Sequence, residues 1–446
     1  MDNAESKKLV TQIFNASLES VDPYESVKKY ADKIYIVYQE GKYTSLYLIG
    51  FGKAACPMAK AIEENLPDIT DPGIVITKYG HNIFRKSEAG GQKSEIKIYE
   101  AGHPVPDENG QGGTKEIVSM LKQSDENTLV LCLISGGGSA LLVDPYDGIT
   151  LDEKKKITDL LLKAGADIFE LNTVRKHISN VKGGRLAEIA WPAKIMSLIL
   201  SDVIGDRLDI IASGPTSPDS STFNDALRVL EKYKLTEQSP SSVMKVLYDG
   251  TNGLIPETPK EGNKIFEKVE NIVIGSNKKA LEAARTKAES LGLKAEIIST
   301  EITGEAREVG KWLAKKALAV KSEASGVKGE RKCFISGGET TVAVKGNGIG
   351  GRNMELALSF AMEIEGIDGI TLLSAGTDGT DGPTDAAGAI VNGNTVQKAR
   401  DKGLMPEEFL WNNDTYHFFK EIDELLVTGP TGTNVMDIQL VIVESQ

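Results

Sequence analysis

The chain has 446 residues, and its 64 acidic side chains outnumber 51 basic ones, giving a formal net charge of −13. This balance argues against a nucleic-acid-binding protein, which normally carries a basic face, and a hydrophobic content of 40% argues against a disordered chain. At about 100–200 residues per domain, the length predicts two or three domains. The 45 glycines exceed the usual share of about 7%, so some of them need a structural or functional reason.

Three cysteines, Cys56, Cys132 and Cys333, stand in apolar surroundings without the paired spacing of a zinc site. We interpret them as buried reduced thiols, which indicates a reducing compartment. The N-terminal residues lack the apolar stretch of a signal peptide, and no run approaches the roughly 18 apolar residues of a membrane span. The sequence therefore predicts a soluble cytoplasmic protein that binds neither nucleic acid nor membrane.

Short apolar runs alternate with amphipathic stretches along the chain. Continuous apolar strands separated by helices are typical of a parallel sheet with helices on both faces. Before residue 249, the predicted strands are 45–50, 73–78, 96–102, 128–135 and 195–203, and the predicted helices are 54–66, 114–123 and 151–166. After residue 263, the predicted strands are 271–276, 295–300, 332–338, 371–379, 425–432 and 437–443.

Residues 249–263 combine glycine and proline with little periodicity, which is typical of a linker. We therefore predict an α/β protein of two three-layer domains with mostly parallel sheets. The predicted N-terminal domain, 1–248, is Rossmann-like, and the predicted C-terminal domain is 264–446.

Glycine clusters follow several predicted strands, where open parallel sheets bind ligands. Residues 50–53 (GFGK) connect a strand to a helix, so their backbone N–H groups favour an anion and Lys53 can hold a phosphate or carboxylate. Residues 135–139 (SGGGS) are the strongest single signal, because three successive glycines expose N–H groups in an anion-binding nest. The structural alternative for each segment is a tight turn.

Several aspartates also follow predicted strands. Asp202 and Asp206, four residues apart, suit a hydrated magnesium ion, which takes few protein ligands; the alternative is that Asp202 caps a turn. Asp378 and Asp381 lie in a glycine-rich segment and could serve as general base or magnesium ligand, or form turns of their own. Arg352 follows four glycines in residues 346–351 and can clamp a carboxylate or phosphate through two hydrogen bonds; the alternative is a flexible loop with a surface arginine.

Taken together, these segments resemble the glycerate 2-kinases whose C-terminal part is the MOFRL domain. The matching stretches span nearly the whole chain in the family's order. They are GFGKAA (50–55), GHPVPDENG (102–110), LISGGGSALL (133–142), NTVRKHIS (172–179), KGGRLA (182–187), LSDVIGDRLDIIASGPT (200–216), ISGGET (335–340), GIGGRNMELAL (348–358), SAGTDGTDGPTDAAGA (374–389) and TGPTGTNVMDI (428–438).

The resemblance implies an ATP- and magnesium-dependent kinase that phosphorylates D-glycerate on its 2-hydroxyl, giving 2-phospho-D-glycerate and ADP. It implies a two-domain protein with the site in the cleft between the domains and a MOFRL region at about 331–443. The family's essential lysine and arginine correspond to Lys53 and Arg352. A homodimer is our working expectation for the assembly.

We assign roles to these residues as hypotheses. Lys53 would contact the substrate or the γ-phosphate, Arg352 would clamp the glycerate carboxylate or the migrating phosphoryl group, and Asp378 would accept the hydroxyl proton or bind metal. The predicted phosphate-binding residues are Ser135, Gly136, Gly137, Gly138, Ser139, Ser213, Gly214 and Thr216, and the predicted magnesium ligands are Asp202, Asp206 and Asp381.

Two alternatives stay open. GFG after a strand is also compatible with a nicotinamide-dependent hydroxypyruvate reductase, although the second strand ends Ile76-Thr77-Lys78 without the acid that binds the cofactor's ribose. The same loops could also belong to a sugar-acid sensor that binds phosphate without catalysis.

Overall fold

The computed structural model describes residues 3–67, 72–84, 95–322 and 330–444. The chain divides into two compact units, which we name after their place in the sequence. The central unit comprises Pro23–Ser201 and Asp206–Ile274, and the terminal unit comprises Met1–Asp22, Asp202–Gly205 and Gly275–Gln446. Each unit contains one six-stranded sheet.

Helices and strands alternate along the chain, as the hydrophobic pattern predicts. The helices are α1 (Asn3–Ser20), α2 (Pro23–Lys28), α3 (Ala31–Glu40), α4 (Ala55–Asn65), α5 (Glu108–Leu121), α6 (Gly138–Leu141), α7 (Leu151–Lys163), α8 (Ile168–His177), α9 (Arg185–Ala190), α10 (Phe223–Lys232), α11 (Ser241–Thr251), α12 (Asn277–Ser290), α13 (Ala306–Ser322), α14 (Arg352–Glu363), α15 (Thr395–Asp401), α16 (Pro406–Trp411) and α17 (Thr415–Glu421). The strands are β1 (Ser45–Phe51), β2 (Ile74–Lys78), β3 (Lys97–Ala101), β4 (Thr128–Ile134), β5 (Lys194–Leu200), β6 (Val269–Gly275), β7 (Lys294–Ile302), β8 (Arg331–Gly338), β9 (Ile370–Gly376), β10 (Gly388–Asn392), β11 (Leu425–Leu426) and β12 (Asp437–Glu444).

The sheet of the central unit has the strand order β3-β2-β1-β4-β5-β6, and β1 to β5 are parallel. This is the order of the Rossmann fold, so the predicted α/β class and Rossmann-like unit are confirmed. Strand β4 is buried at every residue because helices cover both faces of the sheet. The direction of winding changes between β1 and β4, and ligands of such sheets bind outside the carboxyl ends of the strands at this point.

The sheet of the terminal unit has the order β11-β10-β9-β12-β8-β7. Only the β7–β8 pair among its described pairings is parallel, whereas β12 runs antiparallel to both β8 and β9. The prediction of mostly parallel sheets therefore needs correction for this unit. A buried apolar strand has the same composition whether it runs parallel or antiparallel to its neighbours. The last strand, β12, lies between β8 and β9 and runs in the opposite direction to both.

Helix α1 packs in the terminal unit against α12, β9 and β12. Val10, Ile13 and Phe14 on its inner face are fully buried. On the other face of the same sheet, α13 and α14 bury an apolar cluster that includes Phe360 and Val441. The sheet is thus covered by helices on both faces, and both ends of the chain contribute to one unit.

The division into units differs from the predicted domain boundaries. The predicted linker, 249–263, lies within the central unit, where Thr258 donates a hydrogen bond to the buried Asp219 carboxylate (2.9 Å) and the Pro259 carbonyl accepts one from the Asp219 amide (3.0 Å). Glycine and proline mark turns in a sequence, but they do not show whether a turn packs against its neighbours. The three cysteines are free and buried, as predicted. Among the described residues, no helix is long and apolar enough to cross a membrane.

Candidate active site

Two glycine-containing loops meet where β1 and β4 end in the central unit. The amide of Lys53 donates to the Gly136 carbonyl (2.9 Å), and the amide of Ala54 donates to Ser135 Oγ (3.0 Å). A side chain at Gly52, whose φ is 131°, would collide with Ser135. The structure therefore joins the GFGK and SGGGS segments into one surface at the topological switch point, with Ser135 acting as the tie between them.

His103, which follows strand β3 in the GHPVPDENG stretch, lies against the same loop. A Cβ at Gly137 would lie 2.9 Å from His103 Cδ2 and 3.4 Å from Lys53 Cγ, so only glycine leaves room there. Burial, together with the positive charge of Lys53, lowers the pKa of His103 to about 4. The imidazole is therefore neutral at pH 7, and it can accept or donate a hydrogen bond beside Lys53 without adding charge.

A chain of polar contacts extends from the end of this loop. Ser139 Oγ lies 2.8 Å from Ser213 Oγ, and Ser213 Oγ donates to Asn172 Oδ1 (3.0 Å). The backbone of Ala212 and Ser213 has positive φ values of 51° and 63°, which are strained for residues with a side chain. The structure thus brings together two of the predicted phosphate ligands, and it adds Asn172, which sequence reasoning did not select.

Thr216, another predicted phosphate ligand, is held between two polar side chains of the protein. It is 2% exposed, and its hydroxyl donates to Asn271 Oδ1 (2.8 Å) while accepting from Ser197 Oγ (3.2 Å). Gly214 has a φ of 61° and continues the strained turn of Ser213. We interpret Thr216 as part of the support for this turn.

In the terminal unit, Arg352 begins helix α14 and is held by two carboxylates. Its Nε and Nη2 donate to Asp437 Oδ2 (2.6 Å) and Oδ1 (3.0 Å), and its Nη1 donates to Glu339 Oε1 (2.5 Å). Burial raises the pKa of Asp437 to about 6, although the charge of Arg352 acts in the opposite direction, so Asp437 is ionised at pH 7. The guanidinium is therefore fixed in orientation by a planar pair before any substrate binds.

Asp381 performs a structural task that differs from its predicted one. Its carboxylate accepts hydrogen bonds from the amides of Asn353 (3.1 Å) and Met354 (2.8 Å) in the first turn of α14. Burial raises the pKa of this carboxyl to about 7. Because both oxygens already satisfy helix amides that would otherwise lack acceptors, we assign Asp381 to helix capping in place of the predicted magnesium binding.

Asp378 lies on the same loop but lines a cavity of about 700 Å³ that Arg352 also lines. One carboxylate oxygen of Asp378 accepts from the Thr380 amide (3.0 Å) and hydroxyl (3.1 Å). The terminal unit thus brings Arg352 and Asp378 to one cavity, which suits recognition of an anionic group beside a proton acceptor.

The glycine-rich segment 346–351 wraps part of the protein itself. The Gly346 amide donates to Asn413 Oδ1 (3.0 Å), and the Ile349 amide donates to Asp414 Oδ1 (2.9 Å). A Cβ at Gly346 would lie 2.2 Å from the Asn412 carbonyl oxygen. Close approach to residues 412–415 therefore explains Gly346, Gly348 and Gly350, whereas a Cβ at Gly351 would lie 2.3 Å from the Asp381 carboxyl group. These contacts fix the loop that leads to Arg352.

A dedicated metal site is absent from the described parts of both units, where three or more His, Cys, Asp or Glu side chains nowhere converge for metal binding. Asp202 belongs to the terminal unit and Asp206 to the central unit. Magnesium keeps most of its water shell and commonly binds through substrate phosphates and one or two carboxylates. The residues present therefore fit an ion that arrives with a nucleotide, and they do not fit a closed protein cage.

Comparisons with known proteins place this architecture in a family. A family model described as a domain of unknown function, DUF4147, matches residues 9–248, and the MOFRL family model matches residues 332–437. A D-glycerate 2-kinase of Thermotoga maritima is 48% identical over 97% of both chains. A crystal structure of glycerate kinase from Thermotoga maritima superposes with a TM-score of 0.88 at 47% identity, covering 99% of this chain and 100% of the other. A relative from Agrobacterium vitis, 39% identical over 99% of this chain and 95% of its own, carries the provisional name hydroxypyruvate reductase.

Proposed function

Because this chain belongs to the glycerate 2-kinase family with a MOFRL domain, and is thus a glycerate kinase, we propose that it transfers the γ-phosphoryl group of ATP to the 2-hydroxyl of D-glycerate. The products are 2-phospho-D-glycerate and ADP. The observation that carries this proposal is the joined surface of GFGK and SGGGS at the switch point of the central sheet, with Lys53 beside it.

The central unit supplies the phosphate-binding chemistry in this proposal. Phosphoryl transfer needs positioning and charge neutralisation more than covalent participation by the protein. Backbone N–H groups of the 135–139 loop would donate hydrogen bonds to the phosphate oxygens. The hydroxyls of Ser139 and Ser213, which now contact each other and Asn172, would rotate to donate to the same oxygens. Lys53 would neutralise charge on the transferred group, and neutral His103 beside it would leave the local charge unchanged.

The terminal unit supplies a fixed cation and a proton acceptor. Arg352, held by Asp437 and Glu339, would bind the carboxylate of glycerate or the migrating phosphoryl group without losing much side-chain freedom on binding. Asp378, which lines the same cavity, would accept the proton of the reacting hydroxyl. Magnesium bound to the nucleotide would neutralise phosphate charge, and we keep Asp202 and Asp206 as the carboxylates proposed for its water shell.

A coupled assay tests the proposal directly. Full-length enzyme is mixed with D-glycerate, ATP and Mg²⁺, ADP release is measured, and the acid product is passed to enolase without phosphoglycerate mutase. We expect enolase to convert the product at once, because 2-phosphoglycerate is its substrate. ADP release with an enolase signal only after mutase is added would identify the 3-phosphate and contradict the proposed regiochemistry.

The reductase alternative deserves the same test because of the name of the Agrobacterium vitis relative. In a nicotinamide-binding Rossmann unit, an acidic residue near the end of the second strand binds the ribose. Strand β2 of this chain ends at Lys78. We therefore expect no oxidation of NADH or NADPH when hydroxypyruvate is supplied, and cofactor oxidation at a rate comparable with ADP release would favour the reductase.

A further inference from the structure

Three basic side chains gather in the central unit, and its described residues do not supply a matching set of carboxylates. Lys154 lies on α7 and is 4% exposed, Lys182 precedes α9 and is 0% exposed, and Arg175 on α8 is partly buried. Lysine side chains are almost never fully buried unless they are paired. A buried lysine pair beside an arginine therefore requires an explanation.

The donors of this cluster are poorly satisfied. Within the described ranges, Lys154 Nζ and Asn172 Nδ2 have no hydrogen-bond partner although both atoms are buried. Lys182 Nζ donates to the Ala212 carbonyl at 3.4 Å, a long hydrogen bond for a group with several N–H donors. Buried donors without acceptors cost stability, so the cluster is incomplete without a further acceptor.

The charges of the cluster act against one another. Burial and the charge of Arg175 lower the pKa of Lys154 to about 7, although Asp144 acts in the opposite direction. Burial, and then the charges of Lys154 and Arg175, hold the pKa of Lys182 well below its usual value. Asp144 itself accepts a hydrogen bond from Asn180 (3.0 Å). Asp144 therefore acts on Lys154, and no carboxylate is found acting on Lys182 or Arg175 among the described residues.

The neighbouring Lys176 is also buried, but it is paired with a carboxylate of the protein. Its Nζ lies 3.2 Å from the fully buried carboxylate of Asp219, which also accepts hydrogen bonds from Ser221 and Thr258. That pair is closed within the protein. The contrast indicates that Lys154 and Lys182 are arranged for a partner that comes from outside the chain.

The cluster adjoins the polar contacts already described at the switch point. Ala212, which accepts from Lys182, is next to Ser213, whose hydroxyl contacts both Ser139 and Asn172. Asn172 and Arg175 are three residues apart on α8 and therefore share a face of that helix. The unpaired donors thus lie around one place in the unit.

We propose that Lys154, Arg175 and Lys182, with Asn172 and Ser139, bind a phosphoryl oxyanion. A phosphoryl group fits better than a carboxylate because its greater charge balances several bases and it offers more acceptor oxygens. The inference rests on the proposed function in one respect: the phosphoryl group belongs to the nucleotide or to the phosphorylated acid.

The direct test measures binding of inorganic phosphate to the full-length protein by calorimetry in a phosphate-free buffer. Lys182→Met and Lys154→Met keep the side-chain length and remove the charge, and Lys156→Met, an exposed residue of α7, is the matched control. We expect each buried variant to bind phosphate at least tenfold more weakly and the control to bind as the wild type does. Unchanged affinity in either folded buried variant would overturn the site.

Thermal unfolding separates this role from a structural one. Because each buried variant loses a poorly satisfied buried donor, the phosphate-free Tm should stay equal or rise, while the Tm increase produced by phosphate should disappear. A structural role predicts the reverse, a lower Tm with the phosphate-induced increase retained. If Lys182→Met does not fold, that result counts as the structural outcome for Lys182, and Lys154→Met decides the site.

The source of the phosphoryl group is identified by repeating the measurement with ADP and with 2-phosphoglycerate. If the buried variants bind ADP more weakly than the wild type but bind 2-phosphoglycerate equally well, the site belongs to the nucleotide. If they bind only 2-phosphoglycerate more weakly, it belongs to the phosphorylated acid. Unchanged binding of both ligands overturns the inference. The phosphate measurement needs no turnover. A wild type that makes no 2-phosphoglycerate but loses phosphate binding on Lys182→Met would contradict the proposed function and leave this site standing.

Discussion

At the scale of single residues, Lys53 and Arg352 are anchored in different ways. Arg352 is held through its guanidinium, which contacts Asp437 and Glu339. Lys53 is held through its backbone: its amide donates to Gly136, and its carbonyl lies 3.1 Å from His81 Nδ1. The side chain of Lys53 is thus placed by the loop without being part of the loop's hydrogen bonding, and it can be removed without disturbing the turn.

Lys53→Ala is therefore expected to leave the fold intact and to reduce kcat/KM by about 10²–10³, or about 2.7–4 kcal/mol, the range for losing one preorganised electrostatic contact to a transition state. The check combines steady-state kinetics with thermal unfolding. Lys60→Ala on the neighbouring α4 is the control, because Lys60 forms an exposed pair with Glu64 (3.6 Å) on the surface. Near-normal activity in Lys53→Ala would remove this residue from the proposed site.

At the scale of elements, helix α14 is capped by a side chain from a distant loop. Its N-cap residue is Gly351, which has no side chain, and Asp381 accepts the hydrogen bonds of the first turn in its place. The same loop carries Asp378 to the cavity. Two aspartates three residues apart therefore separate into a structural and a candidate catalytic role, a distinction that their spacing in the sequence does not reveal.

We expect Asp381→Asn to lower the free energy of unfolding by about 1–2 kcal/mol, because the amide nitrogen would face a backbone N–H and leave that buried donor without an acceptor. The folded pKa of Asp381 is raised to about 7 from an ordinary 3.8. This group therefore contributes stability that is fully present below pH 3.8 and is lost as the pH rises through about 7. Denaturant unfolding should show that the difference in free energy of unfolding between wild type and Asp381→Asn becomes smaller as the pH rises from 3.8 to about 7.

Asp378→Asn provides the contrasting variant. It should unfold close to the wild type and lose turnover, because Asp378 contacts Thr380 on its own loop and does not cap α14. An Asp381→Asn variant that unfolds like the wild type at every pH, or an Asp378→Asn variant that is fully active, would contradict the division of roles between these two residues.

At the scale of the whole molecule, local structure was easier to predict from the sequence than the contacts between segments that are far apart in the chain. The strands β1 and β4 and the glycine loops after them were predictable, because continuous apolar runs and glycine clusters are local signals. The antiparallel course of β12 was not, since a buried strand has the same composition in either direction. Lys154, Asn172 and Lys182 also escaped sequence reasoning, because their poorly satisfied donors become apparent only in the folded, described part of the chain.

The N-terminal helix illustrates the same limit. The predicted N-terminal domain, 1–248, included this segment on proximity in sequence alone. The structure instead packs α1 on α12, β9 and β12 of the terminal unit. The terminal unit therefore contains α1 as well as the C-terminal part of the chain, and most of the residues between them form the central unit. The C-terminal half of the sequence alone cannot form the complete terminal unit.

Phe14→Ala tests this topology. Phe14 is fully buried, and its truncation should cost about 3–5 kcal/mol. The loss should appear first in the terminal unit, because the side chain supports that core. Hydrogen exchange followed by mass spectrometry should therefore show faster exchange in peptides from 275–322 and 370–444, while peptides covering β1 and β4 keep their protection, and Lys8→Ala, an exposed residue of α1, should change neither. If α1 belonged with the 1–248 domain that sequence proximity suggests, the protection of β1 and β4 would be lost instead.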